Sequence, residues 1–381
     1  MASERSQFSI LNSQFAGLTT PLFLVDRDIV RRNCDRMHEK AARSGVAFRP
    51  HVKTHKTLEI GRMQHGGAIG PITVSTLAEG EFFAAAGFRD ITYAVPIAPE
   101  KLERVAALAA KVERVNILLD NERTLRAVEE FHCAHGAAFD VFLKIDCGSH
   151  RAGVDPDDPA SVALAQAIAK SPATRLRGAL AHAGHSYAGR NADEIRAVAH
   201  EESDAVTSFR DHLGSPDLIR SIGSTPTASV VDRFTGCDEV RPGNYVFFDA
   251  YQATIGSCAL GDCAVSVLAT VIGSYPERRS LVLDAGALAL SKDAGPNHVD
   301  PNFGYGIVCD LELRPLPLKL VSLSQEHGKV EGEPSAIARL PIGTMVRVIP
   351  NHSCLTAAMY DTYQVVAHGA IVEQWKPVRG W

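Results

Sequence analysis

Short apolar runs alternate with amphipathic stretches along the first two-thirds of the chain. Pro21-Leu22-Phe23-Leu24-Val25-Asp26 reads as a buried strand, and Arg31 to Ser44 follows it with one apolar and one polar face. The alternation recurs at Val46 to Lys53 with a helix near Thr57 to His65, Ile72 to Ser75 with Leu77 to Gly87, and Ile91 to Ala94 with Pro99 to Lys111. It continues through Val115 to Asp120 with Asn121 to His135, Phe139 to Asp146 with a helix around Pro159 to Lys170, and Gly178 to His182 with Asn191 to Leu213. Leu218 to Gly223 and Tyr245 to Phe248 close the series. Strands alternating with helices of this length imply right-handed βαβ units and a parallel sheet. About eight such units predict an α/β fold, a closed (β/α)8 TIM-like barrel over residues 20–254. A flavodoxin-like or Rossmann-like open sheet is the alternative, but the turn after Val25 carries no glycine-rich dinucleotide fingerprint.

Past residue 255 the helical period fades. Short β-branched runs take over at Ala264 to Ile272, Ser280 to Leu283, Leu318 to Leu323, Met345 to Ile349 and Tyr363 to Ala367, punctuated by Tyr275-Pro276, Gly295-Pro296, Glu333-Pro334 and Pro341-Ile342-Gly343. This predicts a C-terminal antiparallel β domain over 255–381. Residues 1–19 carry little pattern and are candidates to pack on it. A length of 381 residues fits two domains.

Charge and cysteine usage narrow the class. A formal net charge of -5, with both signs mixed, gives no electrostatic ground for a nucleic-acid partner. No apolar run is long enough for a membrane span, and Met1 to Gly17 has no hydrophobic signal core. Eight scattered cysteines without CxxC pairing suit a reduced, cytoplasmic setting. A small-molecule enzyme is the expectation.

In a parallel barrel the strand C-terminal ends form the active face. Polar residues just past the apolar runs include Lys53 and His55, Ser75 and Thr76, Asp146 with His150 and Arg151, His182 with His185 and Tyr187, and Gly223-Ser224-Thr225. If Val46 to Lys53 is a strand, Arg49, His51 and Lys53 share one face, and cationic neighbours would tune the Lys53 amine as a nucleophile or base. A solvated lysine beside a basic patch is the plain alternative. Gly223-Ser224-Thr225-Pro226-Thr227 offers backbone N–H groups and hydroxyls without a Walker lysine, and Arg241-Pro242-Gly243-Asn244-Tyr245 can close the other side of a phosphate site, although glycine turns usually just make turns. His352-Ser353-Cys354 puts an imidazole and a thiol two residues apart after an apolar run. Spacing alone favours a buried cysteine beside an ordinary histidine over a metal site. Gln325-Glu326-His327-Gly328 and Asp284-Ala285-Gly286 read as hydrogen-bonded loops.

Five stretches together resemble the eukaryotic-type D-serine dehydratases, within the alanine-racemase-like fold of pyridoxal-phosphate enzymes that also contains D-threonine aldolases. They are Arg49-Pro50-His51-Val52-Lys53-Thr54-His55-Lys56, Val74-Ser75-Thr76-Leu77-Ala78-Glu79, Asp146-Cys147-Gly148 with Arg151-Ala152-Gly153-Val154, Gly223-Ser224-Thr225-Pro226-Thr227, and Pro350-Asn351-His352-Ser353-Cys354. The resemblance implies that Lys53 forms the Schiff base with pyridoxal 5'-phosphate. Gly223, Ser224, Thr225, Gly243, Asn244 and Tyr245 would hold the phosphate, Tyr187 would face the pyridine nitrogen, and Arg151 would approach the ring hydroxyl. It also makes His352 and Cys354 zinc ligands, reversing the odds from spacing. Aldolase relatives tend to carry Asp at the position of Cys354, and a thiolate selects zinc more strongly than a carboxylate does.

The implied activity is a carbon–oxygen lyase of the D-serine ammonia-lyase type, using pyridoxal phosphate and zinc to convert a small D-amino acid to pyruvate and ammonia. D-threo-3-hydroxyaspartate dehydratase, D-threonine-type aldolase and a non-catalytic pyridoxal-phosphate binding protein are the alternatives. A homodimer is implied by resemblance alone.

Overall fold

The computed structural model describes Phe15 and residues 17–381. They divide into two compact units. One comprises Cys34–Tyr245 with Val378–Trp381, and the other comprises the described residues up to Asn33 with Val246–Pro377.

The first unit is a ring of eight parallel strands: β2 (Ala47–Phe48), β3 (Ile72–Val74), β4 (Asp90–Pro96), β5 (Arg114–Leu119), β6 (Phe139–Lys144), β7 (Thr174–Leu180), β8 (Ile219–Ile222) and β9 (Glu239–Val240). Hydrogen bonding runs β2-β9-β8-β7-β6-β5-β4-β3. A parallel bridge between His51 and Thr73 closes the ring, with Thr73 N–H donating to Pro50 C=O at 2.9 Å and Thr73 Oγ1 donating to Arg49 C=O at 2.8 Å. The interior is wired by charge. Arg49 Nε donates to Glu239 Oε2 at 2.6 Å, Ser221 Oγ donates to Glu239 Oε1 at 2.6 Å, Arg241 Nε donates to Ser221 Oγ at 2.7 Å, and Arg49 also pairs with Asp90 at 2.6 Å. Such buried groups persist only when every partner is supplied.

The expected barrel is present, but its strand list shifts. The Leu22–Asp26 run, β1, is not the first barrel strand. It pairs antiparallel with β10 (Val265–Tyr275) and parallel with β16 (Tyr363–Ala367) in the second unit. The eighth barrel strand is instead β9, two residues long and half charged, too short for a periodic signal. Tyr245 to Phe248 is not a strand either: its start lies in a 3-10 turn, Asn244–Val246, and all four side chains are buried.

The second unit holds a nine-stranded, mostly antiparallel sheet. Besides β1, β10 and β16 it contains β11 (Ser280–Leu283), β12 (Gly306–Cys309), β13 (Leu318–Leu323), β14 (Gly328–Gly332), β15 (Met345–Pro350) and β17 (Ala370–Trp375). The unit therefore takes in β1 and begins its second segment at Val246, whereas the sequence places a boundary between 254 and 255. The reason is β1 itself, whose alternate side chains Phe23 and Val25 are wholly buried in that sheet. Phe15 packs with Leu24, Leu268, Leu311 and Val366, and Leu18 lies against them. The rest of the predicted packing of residues 1–19 falls largely on 1–14 and 16, outside the described residues. Asp284 accepts from Thr270 N–H at 2.7 Å and from the Thr20 hydroxyl, a loop role as expected. Among the described residues no helix is long and apolar enough to cross a membrane.

Candidate active site

In the barrel unit, extended backbone continues past β2. Arg49 N–H donates to Val240 C=O at 3.0 Å and His51 N–H to Pro242 C=O at 3.0 Å. The chain then tightens into a 3-10 turn over Val52–Thr54 with His51 as its N-cap. Lys53 thus sits in a helical turn just beyond the strand end, and the strictly alternating face expected for Arg49, His51 and Lys53 breaks at His51. Arg49 is buried and committed to Glu239 and Asp90, so its charge is neutralised within the barrel wall.

His51 does belong with Lys53. Its Nδ1 accepts from Lys53 N–H at 3.4 Å, which leaves Nε2 to donate to Ser75 Oγ at 3.3 Å. Burial, then the charges of Lys53 and Arg241 and the ring of His182, hold the His51 pKa well below the usual imidazole value. His182 is lowered likewise, by desolvation and then by Lys53, against the opposing hydrogen bond to Gly223 C=O, with Arg151 and Arg241 lowering it further. Lys144, at the end of β6, is lowered to about 8 by burial first, with Arg241 and Arg151 adding to it. Three cationic side chains (Lys53, Arg151 and Arg241) are therefore within electrostatic reach of two neutral imidazoles, and Lys144 is within reach of Arg151 and Arg241. A cluster of this sign suits an anionic ligand.

The Gly223 turn is a close-fitting cradle. A Cβ at Gly223 would stand 2.6 Å from Arg241 N, and one at Gly243 would stand 2.9 Å from His51 Cβ. Gly223, Ser224, Thr225 and Asn244 are buried, and the short helix Thr225–Val230 starts here, so its first-turn N–H groups have no partners within the helix. Ser186 Oγ lies 2.8 Å from Ser224 Oγ, bringing the turn that bears Tyr187, Gly184–Ala188, to the Gly223 turn. These residues fit a phosphorylated aromatic aldehyde: a lysine for its carbonyl, a cationic surround, and a glycine turn for its phosphate.

Tyr245 lies deeper. Its hydroxyl accepts from Gln64 Nε2 at 3.1 Å, Gln64 Oε1 accepts from His55 Nε2 at 3.2 Å, and Thr57 N–H donates to His55 Nδ1 at 3.1 Å. His55 and Tyr245 form a buried network under the Lys53 turn. His150, at an exposed position, pairs with Asp146 at 2.9 Å, and half-buried His185 pairs with exposed Glu201 at 3.3 Å.

In the second unit His352 caps the helix Ser353–Ala358. Its Nδ1 donates to Asp293 Oδ2 at 3.0 Å, and Asp249 Oδ2 accepts from Ser353 N–H at 2.9 Å and Ser353 Oγ at 3.1 Å, fixing the helix start. Burial alone would lower the His352 pKa, but side-chain hydrogen bonds with Asp293 and Cys354 carry it up to about 11. His352 and Cys354 are therefore neighbours. Among the described residues no group of three or more His, Cys, Asp or Glu side chains is arranged for a metal ion. The donor set fits an open site with two protein ligands.

Sequence reasoning missed Lys144, Glu202 and Asp293, and it named Arg241 as part of a turn without using its charge. Arg241 lies in the second glycine turn, where the glycine and the Asn244 amide were the signal. Glu202 had a signal of its own, a carboxylate on the stripe Ile195, Glu202, Val206, Phe209 that faces inward on the helix Ala192–Leu213.

An eight-stranded parallel barrel with a lysine at its mouth, followed by a mostly antiparallel sheet, is the architecture of the alanine-racemase-like enzymes, a pyridoxal-phosphate fold. Residues 25–250 match the family described as "Alanine racemase, N-terminal domain" and residues 264–366 match the "Putative serine dehydratase domain". The chain belongs to this family, in its D-serine dehydratase branch. It is 39% identical to the D-serine dehydratase of Dictyostelium discoideum, over 97% of this chain and 99% of that one. It is also 39% identical to the D-threo-3-hydroxyaspartate dehydratase of Delftia sp. (strain HT23), over 96% and 98%. The solved structure of the Delftia enzyme has a TM-score of 0.91 over 96% of this chain and 99% of that one, at 38% identity. A Cys-to-Ala variant of that enzyme has been solved in a metal-free form.

Proposed function

We propose that this protein is a pyridoxal-phosphate- and zinc-dependent D-serine dehydratase, converting D-serine to pyruvate and ammonia. The observation that carries the reading is the meeting of His352 with Cys354, in a chain whose barrel already gathers cations around Lys53. By net reaction it is an ammonia-lyase, breaking a carbon–nitrogen bond overall, although the β-hydroxyl leaves before the nitrogen does; this refines the carbon–oxygen class expected from sequence.

Bound pyridoxal phosphate supplies an electron sink for negative charge at the substrate α-carbon. Lys53 would anchor the cofactor through its amine and would serve as the base for the substrate α-proton. His51 and His182 stay neutral at neutral pH, so they add hydrogen bonds and no charge. Gly223, Ser224, Thr225, Gly243 and Asn244 would hold the phosphate, and Tyr187 and Arg151 would serve the ring nitrogen and the ring hydroxyl. Tyr245 contributes from the core beneath the cradle, through backbone shape. His352 and Cys354 would hold zinc, and the chemistry such an ion would supply is Lewis acidity toward a hydroxyl leaving group. A homodimer and a cytoplasmic setting go with this reading, the latter supported by eight free cysteines.

The Delftia relative, as similar as the Dictyostelium one, supports D-threo-3-hydroxyaspartate as a second substrate. Both are separated from an aldolase by measuring pyruvate or oxaloacetate against glycine plus aldehyde, from D-serine and D-threo-3-hydroxyaspartate, with zinc added and removed. Keto acid formation that depends on zinc is expected. Glycine as the main product would end the dehydratase reading.

A further inference from the structure

Glu202 is a carboxylate with no exposed surface, in the middle of the 22-residue helix Ala192–Leu213 and on its core-facing stripe. Burying an ionised carboxylate is unfavourable by several kcal/mol unless donors surround it, which is a strong reason to ask what its donors are. There are three. Oε1 accepts from Ala183 N–H at 2.8 Å and from Gly223 N–H at 3.1 Å, and Oε2 accepts from Thr227 Oγ1 at 2.9 Å.

The three donors belong to two different loops of the site. Ala183 opens the segment that leads through Ser186 to Tyr187, while Gly223 and Thr227 belong to the turn assigned to the phosphate. One oxygen atom thus receives an N–H from each loop. Two further bonds join the same loops: His182 Nδ1 donates to Gly223 C=O, and Ser186 Oγ meets Ser224 Oγ at 2.8 Å. Gly223 is held at both ends of its backbone, N–H by Glu202 and C=O by His182, and a side chain there would collide with the Arg241 backbone.

We infer that Glu202 is a positioning residue for the cofactor: its carboxylate sets the spacing between the Tyr187 loop and the Gly223 turn, and so the tilt of the ring relative to the phosphate. This rests on the pyridoxal-phosphate reading above. The geometry requires an acceptor at Oε1 and only a hydrogen-bonding group at Oε2, because the Thr227 hydroxyl can turn to accept. Glu202→Gln keeps both requirements, whereas Glu202→Asp withdraws the acceptor by one methylene.

Apoprotein of the wild type, E202Q and E202D is titrated with pyridoxal phosphate, reading the dissociation constant and the visible circular dichroism of the bound cofactor, with melting temperature and far-ultraviolet dichroism in parallel. E202Q should bind within about threefold of wild type with the same visible band, and E202D at least about tenfold more weakly with an altered band. An E202D that folds and matches wild type in both readings would overturn the inference. So would an E202Q as impaired as E202D, which would make charge the requirement, or loss of the fold in both variants, which would make Glu202 a folding residue only. Wild-type protein that binds no pyridoxal phosphate fails the functional reading instead, and the wild-type titration reports that separately.

Discussion

His352 Nδ1 donates to Asp293 Oδ2 at 3.0 Å, and that bond leaves Nε2 as the ring nitrogen that the proposed zinc would meet. A carboxylate behind a histidine ligand sets the tautomer and orients the ring, and removing it typically weakens metal affinity 10–100-fold. Asp293→Asn should therefore lose zinc in a chelator competition at lower chelator concentration, by a factor in that range, while the near-visible absorbance of bound pyridoxal phosphate is unchanged. Equal zinc retention in the two proteins would remove Asp293 from the site.

The two proposed ligands themselves should separate metal from cofactor. His352→Ala and Cys354→Ala are each expected to keep the absorbance of the bound cofactor, to lose zinc by elemental analysis, and to lose keto acid formation. A variant with normal turnover after thorough chelation would sink the metal role.

Lys53 is expected to be the covalent anchor. Lys53→Ala should abolish both turnover and the near-visible absorbance. Cofactor that borohydride still traps on the variant would place the attachment at another lysine, and peptide mapping would identify it; Lys144, the buried lysine at the end of β6, is the first to check.

Acid sensitivity should come from buried neutral histidines. His55 accepts Thr57 N–H at Nδ1 and donates to Gln64 at Nε2, and burial lowers its pKa to about 3 from 6.5. Between those values the unfolded chain binds more protons than the folded one, so stability rises with pH: it is fully present above about 6.5 and declines as pH falls toward 3. From pH 7 to pH 5 this single residue should remove about 2 kcal/mol, because each tenfold rise in proton concentration below 6.5 favours the unfolded chain by ~1.4 kcal/mol. Urea denaturation at the two pH values measures it, and His55→Gln should flatten the dependence. An unchanged slope in that variant would assign the effect to His51 and His182 instead.

Long, periodic segments were legible in the sequence because their apolar spacing is set by the same burial that forms them. β4, β5, β6 and β8 and the helices between the strands lie where the alternation predicts, while β7 begins four residues before the expected Gly178. Strand β9 was not legible: two residues carry no period, and Glu239 looks like surface until its partners Arg49 and Ser221 are known. β1 misled for the opposite reason. A buried strand has the same composition in either sheet, and only its pairing with Leu268 and Val365 tells which one owns it. At the candidate site, stretches rich in glycine, histidine and lysine stood out, while Glu202 and Asp293 act through partners distant in the chain. Their roles are long-range hydrogen bonds, which no local pattern encodes.

The pairing of β1 with β10 also has a meaning in time. Leu22 faces Leu268, so at ribosomal speeds of about 5–20 residues per second the strand emerges roughly 12–50 s before its partner. During that interval the barrel strands are made one after another, while Phe23, Leu24 and Val25 have no sheet to enter. A nascent chain of this protein therefore carries a sticky, unpaired edge at its front until Val265 and its successors appear, and holding that segment in check is a task for whatever binds the chain as it is translated.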